Sequence, residues 1–159
     1  MGTSKLKVTG INHVVLNVAD LDRSRSFYTE VLGFDDRGLV AGMRASFLRC
    51  GMQGLDLFEV VDRDVHGGQE MNHMALNVDV ADIELLVAGL SAAGIEALEI
   101  TPRDSVFICD PDGHRIEMLP LTASEREHER GRSSSFDRDN GADPVAASGT
   151  ESTIAASTS

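Results

Sequence analysis

The stretch Ile11-Asn12-His13-Val14-Val15-Leu16-Asn17-Val18 alternates loosely between apolar and polar positions and is rich in branched aliphatics, which predicts a strand over 9–18. The spacing then turns helical. Leu21, Phe27, Val31 and Leu32 share one face of a helix expected over 21–32, with Asp20 or Asp22 as its cap and Gly33 as its stop. Three strand-like segments follow, near 34–40, 43–50 and 54–61, punctuated by Gly38, Gly42, Gly51 and Gly54. After a polar connector over 62–71 the pattern restarts. A strand over 72–79 precedes a helix over 80–93, in which Ile83, Leu86, Val87 and Leu90 line one face and Gly94 ends the run. Strands near 95–100, 104–109 and 114–119 complete the series, the last two joined by the turn Asp110-Pro111-Asp112-Gly113. Both halves read β-α-β-β-β.

The halves are also related residue by residue. Asn12-His13-Val14-Val15-Leu16-Asn17-Val18 returns as Asn72-His73-Met74-Ala75-Leu76-Asn77-Val78, with five of seven positions identical. Self-similarity at a fixed offset marks a duplicated supersecondary unit. The expected architecture is therefore α+β: a folded domain over 8–121, built from module 9–61 and module 72–120 joined by linker 62–71. Beyond Thr122 the character changes. Ser124 to Arg132 is expected to form a short charged helix, and the Ser-, Thr-, Ala- and Gly-rich residues 133–159 to be disordered, making 122–159 a tail.

Composition narrows the functional classes. Hydrophobic residues make up 42% and aromatics only 4%, with no Trp, so the core must be aliphatic. The formal charge is −12; seven acidic and four basic residues in 121–159 account for −3, leaving −9 on residues 1–120. A surface this negative repels phosphate backbones and anionic headgroups, which argues against nucleic-acid and membrane partners. No apolar run reaches membrane-spanning length and the N-terminus lacks the build of a signal peptide, so a soluble, cytoplasmic protein is expected. Cys50 and Cys109 make no disulfide framework and are read as reduced, packed thiols.

The repeat also serves as a ruler for chemistry. Glu59 follows His13 by 46 residues, near the end of the first module's last strand, and Glu117 follows His73 by 44 in the second. Period-2 alternation puts His13 with Ile11, Val15 and Asn17, and Glu59 with Leu55 and Leu57. It puts His73 with Ala75 and Asn77, and Glu117 with Arg115 and Leu119. If each sheet curls, its His and Glu meet on the concave side, and two facing modules bring two His and two Glu together. Imidazole plus carboxylate suits a divalent first-row metal. Other polar residues have plainer readings: Asp20 and Asp22 as helix caps, Tyr28 as packing or surface, His114 as structural or solvent-facing, and His128 as inert.

Together with Arg23-Ser24, Phe27-Tyr28, Leu32-Gly33-Phe34 and Asp110-Pro111-Asp112-Gly113-His114-Arg115-Ile116-Glu117, these motifs resemble the vicinal oxygen chelate superfamily. That superfamily includes glyoxalase I, extradiol dioxygenases, fosfomycin-resistance proteins and bleomycin-binding proteins. The resemblance implies paired βαβββ modules forming an open, cup-like mixed sheet, within one chain or across a homodimer, around a small-molecule substrate. It places His13, Glu59, His73 and Glu117 at the four ligand positions of glyoxalase I, implying Ni²⁺, Co²⁺ or Zn²⁺ and isomerisation through an enediolate. In that scheme Glu117 is the candidate base and Glu59 its counterpart. A transferase of the fosfomycin type would use His13, His73 and Glu117 alone, and an extradiol dioxygenase the same three for Fe²⁺; Fe²⁺ or Mn²⁺ belongs to those alternatives. Ring cleavage would also need a His before the fourth strand, where this chain has Met52-Gln53-Gly54. Arg49 and Arg103 are the candidates for a thiol-cosubstrate pocket. A metal-free protein that sequesters its ligand is the remaining alternative.

Overall fold

Alternation along the first strand decides which side of it is buried. In β1 (His13–Val18), Leu16 and Val18 are buried while His13, Val15 and Asn17 are exposed. The computed structural model describes residues 10–67 and 71–128, so the expectations for 129–132 and for the tail over 133–159 fall outside the described residues. β1 pairs in parallel with β4 (Gln53–Glu59), which pairs antiparallel with β3 (Ala45–Cys50), and β3 pairs antiparallel with β2 (Asp35–Leu39). The second module repeats the order: β5 (Met74–Val78), β8 (Arg115–Pro120), β7 (Val106–Cys109) and β6 (Glu99–Ile100) form a separate four-stranded sheet. Two β-α-β-β-β modules, each a mixed sheet, make the α+β fold that the pattern anticipated.

The helices differ from expectation in detail. α1 (Leu21–Ser26) is capped by Asp20, whose side chain accepts the Arg23 N–H, so of the two candidate caps Asp20 does the work. It then widens into a π-helical turn over Phe27–Val31, where the Leu32 N–H reaches back five residues to the Phe27 carbonyl at 3.2 Å. The wider turn lies where consecutive aromatics, Phe27 and Tyr28, are both buried. α2 (Ile83–Ala92) starts at Asp82, whose side chain accepts the Leu85 N–H at 2.9 Å. Gly33 and Gly94 both follow their helices with φ of 73°, the left-handed conformation that a helix stop favours. The strand expected over 95–100 shrinks to Glu99–Ile100; the Ile95 N–H closes α2 on the Leu90 carbonyl, and the Leu98 N–H bonds to the Phe107 carbonyl ahead of the strand. Residues 123–128 are helical. Among the described residues no helix is long and apolar enough to cross a membrane.

The helix-facing sides of both sheets share one aliphatic core. Leu16, Val18, Leu48, Leu55 and Leu57 from the first sheet join Val106, Ile108, Ile116 and Met118 from the second. Phe27, Tyr28 and Phe34 lie among them in edge-to-face contacts, with ring centroids 5.3 and 5.5 Å apart. Each fully buried Leu or Ile contributes about 1.5–3 kcal/mol of transfer free energy.

A polar seam locks the modules in register. The β7–β8 turn sends Asp110 into the core, where Oδ2 accepts the Tyr28 hydroxyl at 2.8 Å and lies 2.8 Å from His114 Nδ1. Its Oδ1 accepts the backbone N–H groups of Asp112 at 2.9 Å and His114 at 2.8 Å. Asp112 faces the other module, accepting from the Ala19 N–H, the Arg23 guanidinium and the Ser24 hydroxyl at 3.0, 3.0 and 2.7 Å. Tyr28 and His114 are therefore packed structural residues, and neither is on the surface. Burial first, and then the adjacent Asp110 charge, push the Tyr28 phenol well above its ordinary range.

Candidate metal centre

Strand register places the chemistry-bearing side chains more sharply than spacing does. In the first sheet Val15 pairs with Asp56, and Asp56 with Phe47. In the second, Ala75 pairs with Glu117, and Glu117 with Phe107. These rows are equivalent, so Asp56 holds in module one the place of Glu117 in module two. The distances agree. His13 Nε2 lies 3.9 Å from Asp56 Oδ2, and His73 Nε2 lies 3.4 Å from Glu117 Oε2.

Glu59 is not part of this arrangement. It pairs with Val18, on the side of the sheet that carries Leu55 and Leu57 against the core, opposite to His13. There its Oε2 accepts the Leu21 N–H at 3.4 Å, at the start of α1, and its Oε1 pairs with Arg44. A carboxylate at a helix start satisfies otherwise unpaired amides and suits the helix dipole. The expectation that His13 and Glu59 meet on the concave side is thus corrected: the residue facing His13 is Asp56. Substituting Glu59→Gln is expected to leave divalent-metal affinity unchanged while lowering stability by about 1 kcal/mol through the helix start. Calorimetric metal titration beside a thermal melt checks both.

The repeated Asn explains itself in this geometry. Asn12 Oδ1 lies 2.8 Å from His13 Nδ1, and Asn72 Oδ1 lies 2.7 Å from His73 Nδ1. A carbonyl oxygen only accepts, so each Nδ1 donates, and in the neutral ring Nε2 is then the nitrogen that offers a lone pair on the carboxylate side. Two acceptors facing each other a few ångströms apart form a place for a cation, and an oriented imidazole is the usual partner of a metal. The donor chemistry fits a divalent first-row ion.

The surroundings fix the rings. Gly54 pairs with His13, and a Cβ there would lie 2.8 Å from the His13 Cβ, so a larger residue would push His13 out of position. Arg49 pairs with Gly54 and shares the same face. In module two the His73 ring meets Phe107 edge-to-face at 5.3 Å, and the Arg115 guanidinium lies 4.5 Å from the centre of the Phe107 ring. Arg103 lies outside this row, in the loop between β6 and β7.

Each module supplies one His and one carboxylate, and among the described residues no three His, Cys, Asp or Glu side chains converge as a metal site. The faces bearing these pairs are open. Val15 is 48% and Phe47 42% exposed on the first sheet, and Ala75 and Asn77 are exposed on the second. Asp56 escaped the spacing argument, yet its signal was present: in Leu55-Asp56-Leu57 the polar residue is out of phase with the core.

Residues 10–118 match the pattern of the Glyoxalase/Bleomycin resistance protein/Dioxygenase superfamily. The chain is 28% identical over 129 residues to the metallothiol transferase FosB of Staphylococcus epidermidis strain ATCC 12228, covering 76% of this chain and 88% of that one. It is 31% identical over 120 residues to the metallothiol transferase FosB of Bacillus licheniformis, covering 70% and 75%. Among solved structures, the integron cassette protein HFX_CASS4 from the Halifax Harbour sewage metagenome superposes with a TM-score of 0.60 at 26% identity, covering 72% of this chain and all of that one.

Proposed function

Because the chain belongs to the Glyoxalase/Bleomycin resistance protein/Dioxygenase superfamily, we propose that it is a divalent-metal-dependent enzyme acting on a small, oxygen-bearing substrate, with thiol transfer as its chemistry. The observation that carries the metal is the matched pair of half-sites, His13 with Asp56 and His73 with Glu117, each with its imidazole aimed by an Asn. His13, His73 and Glu117 would hold the ion, with Asp56 beside it. Two donors per module are too few for a stable site. A homodimer that sets module one of one copy against module two of the other supplies four, and covers the open faces that carry Val15 and Phe47.

A divalent cation bound there supplies Lewis-acid stabilisation of charge developing on a substrate oxygen. The similarity to metallothiol transferases supports a thiol as the second reactant. Arg49, on the face of His13, would receive the carboxylate of such a thiol. A second reading, glyoxalase-type isomerisation, is favoured by one observation: Asp56 provides a second carboxylate near the ion, free to take a proton from carbon.

The test is metal content and reactivity together. Protein purified without chelators is expected to bind one Mn²⁺, Co²⁺, Ni²⁺ or Zn²⁺ per chain and, so loaded, to add a low-molecular-weight thiol to an epoxide such as fosfomycin. Turnover of hemithioacetals without epoxide opening supports the isomerase reading instead. Absence of binding by every one of these ions, Fe²⁺ included, refutes both and leaves a ligand-sequestering protein.

A further inference from the structure

The two half-sites are built alike but supported differently. Glu117 Oε1 lies 2.6 Å from the Ser105 hydroxyl, and Ser105 Oγ lies 2.8 Å from Thr101 Oγ1. The direction of this chain follows from its ends. Thr101 Oγ1 already accepts the N–H groups of Arg103 at 3.2 Å and Ser105 at 3.4 Å, which leaves its proton to donate. An ionised carboxylate only accepts. Thr101 therefore donates to Ser105, and Ser105 donates to Glu117. Ser105 is fully buried, and the loop that carries it is wound through Asp104 at a φ of 56°, the only positive φ outside glycine among the described residues.

The duplication provides an internal control. The Thr101 N–H bonds to the Ser105 carbonyl at 2.8 Å, and the Val40 N–H bonds to the Ala45 carbonyl at 3.0 Å in the matching place of module one. Ser105 stands two residues before Phe107, which pairs with Glu117, just as Ala45 stands two residues before Phe47, which pairs with Asp56. Where module two has two hydroxyls, module one has Val40 and Ala45. Among the described residues no hydroxyl bonds to Asp56, whose side chain faces His13.

We infer that Thr101 and Ser105 are positioning residues that hold Glu117 as a one-oxygen metal ligand, so that module two grips the ion while Asp56 in module one stays free to move. This rests on the metal-dependent reading proposed above. The hydroxyl chain occupies Oε1 and leaves Oε2 toward His73. Hydrogen bonds to a ligand from outside the coordination sphere typically change metal affinity by about 10–100-fold.

Titration of the full chain with Co²⁺, followed by its visible absorption, tests the assignment without any assay of turnover. Ser105→Ala and Thr101→Val are expected to weaken Co²⁺ binding by about 10–100-fold and to alter the band shape, whereas Thr101→Ser, which keeps the hydroxyl, stays close to the parent. Affinities and spectra of Ser105→Ala and Thr101→Val equal to the parent's overturn the positioning role and leave the metal reading standing. A parent chain that binds no Co²⁺ overturns both.

Discussion

Replacing Asp110 with Ala is expected to lower stability by about 3–5 kcal/mol, the scale found when one partner of a buried charged pair is removed. The melting temperature should fall by more than about 10 °C on the usual scaling for a domain of this size. The reason is the number of groups left without a partner. The carboxylate serves the Tyr28 hydroxyl, the His114 ring and two backbone N–H groups, all inside the seam between the modules. Thermal or urea unfolding measures the effect. A loss below about 1 kcal/mol, the value of one ordinary hydrogen bond, would contradict a seam that fastens the modules.

The seam also sets a pH dependence. Burial alone would push the Asp110 carboxyl up, but the hydrogen bonds from His114 and Tyr28 and the His114 charge hold it below its ordinary value. The hydrogen bond to Asp110 raises His114, burial opposes, and the Asp110 and Asp112 charges add to the rise. A depressed acid stabilises the fold above its unfolded value and loses that as pH falls through the folded one. A raised His stabilises it fully below its unfolded value and loses that as pH climbs through the folded one. With ordinary values of 3.8 and 6.5, the seam is strongest between them and weakens as pH rises past the upper one. His114→Gln should remove the alkaline loss.

How much of this was legible in the chain depends on the range over which each residue acts. Leu16 and Val18, the Asp20 cap, Gly33 and Gly94 act on their neighbours, so strand faces and helix limits follow from local pattern. Asp110 also looked local, as a turn residue, but its decisive partner is Tyr28, 82 residues away. The expected meeting of His13 and Glu59 on one face failed through parity. Glu59 stands three residues beyond Asp56, and an odd step along a strand turns a side chain to the other face. A Glu picked by residue type near the strand end therefore fell on the core side, while the acid on the His13 face is Asp56. The hydroxyl chain behind Glu117 left no sequence signal, since Thr101 and Ser105 look like any polar loop.

The second large effect concerns the metal. His73→Ala should weaken divalent-ion binding beyond the roughly 10–100-fold expected for groups that only orient a ligand, and Asn72→Ala should fall within that range. The sharpest form of the experiment combines two defective chains, His13→Ala and His73→Ala, in a purified heterodimer. If each site takes module one from one copy and module two from the other, one of the two sites recovers both His. Elemental analysis should then find one ion per heterodimer, where neither mutant homodimer holds any. A heterodimer as empty as its parents would contradict a site divided between two copies of the chain.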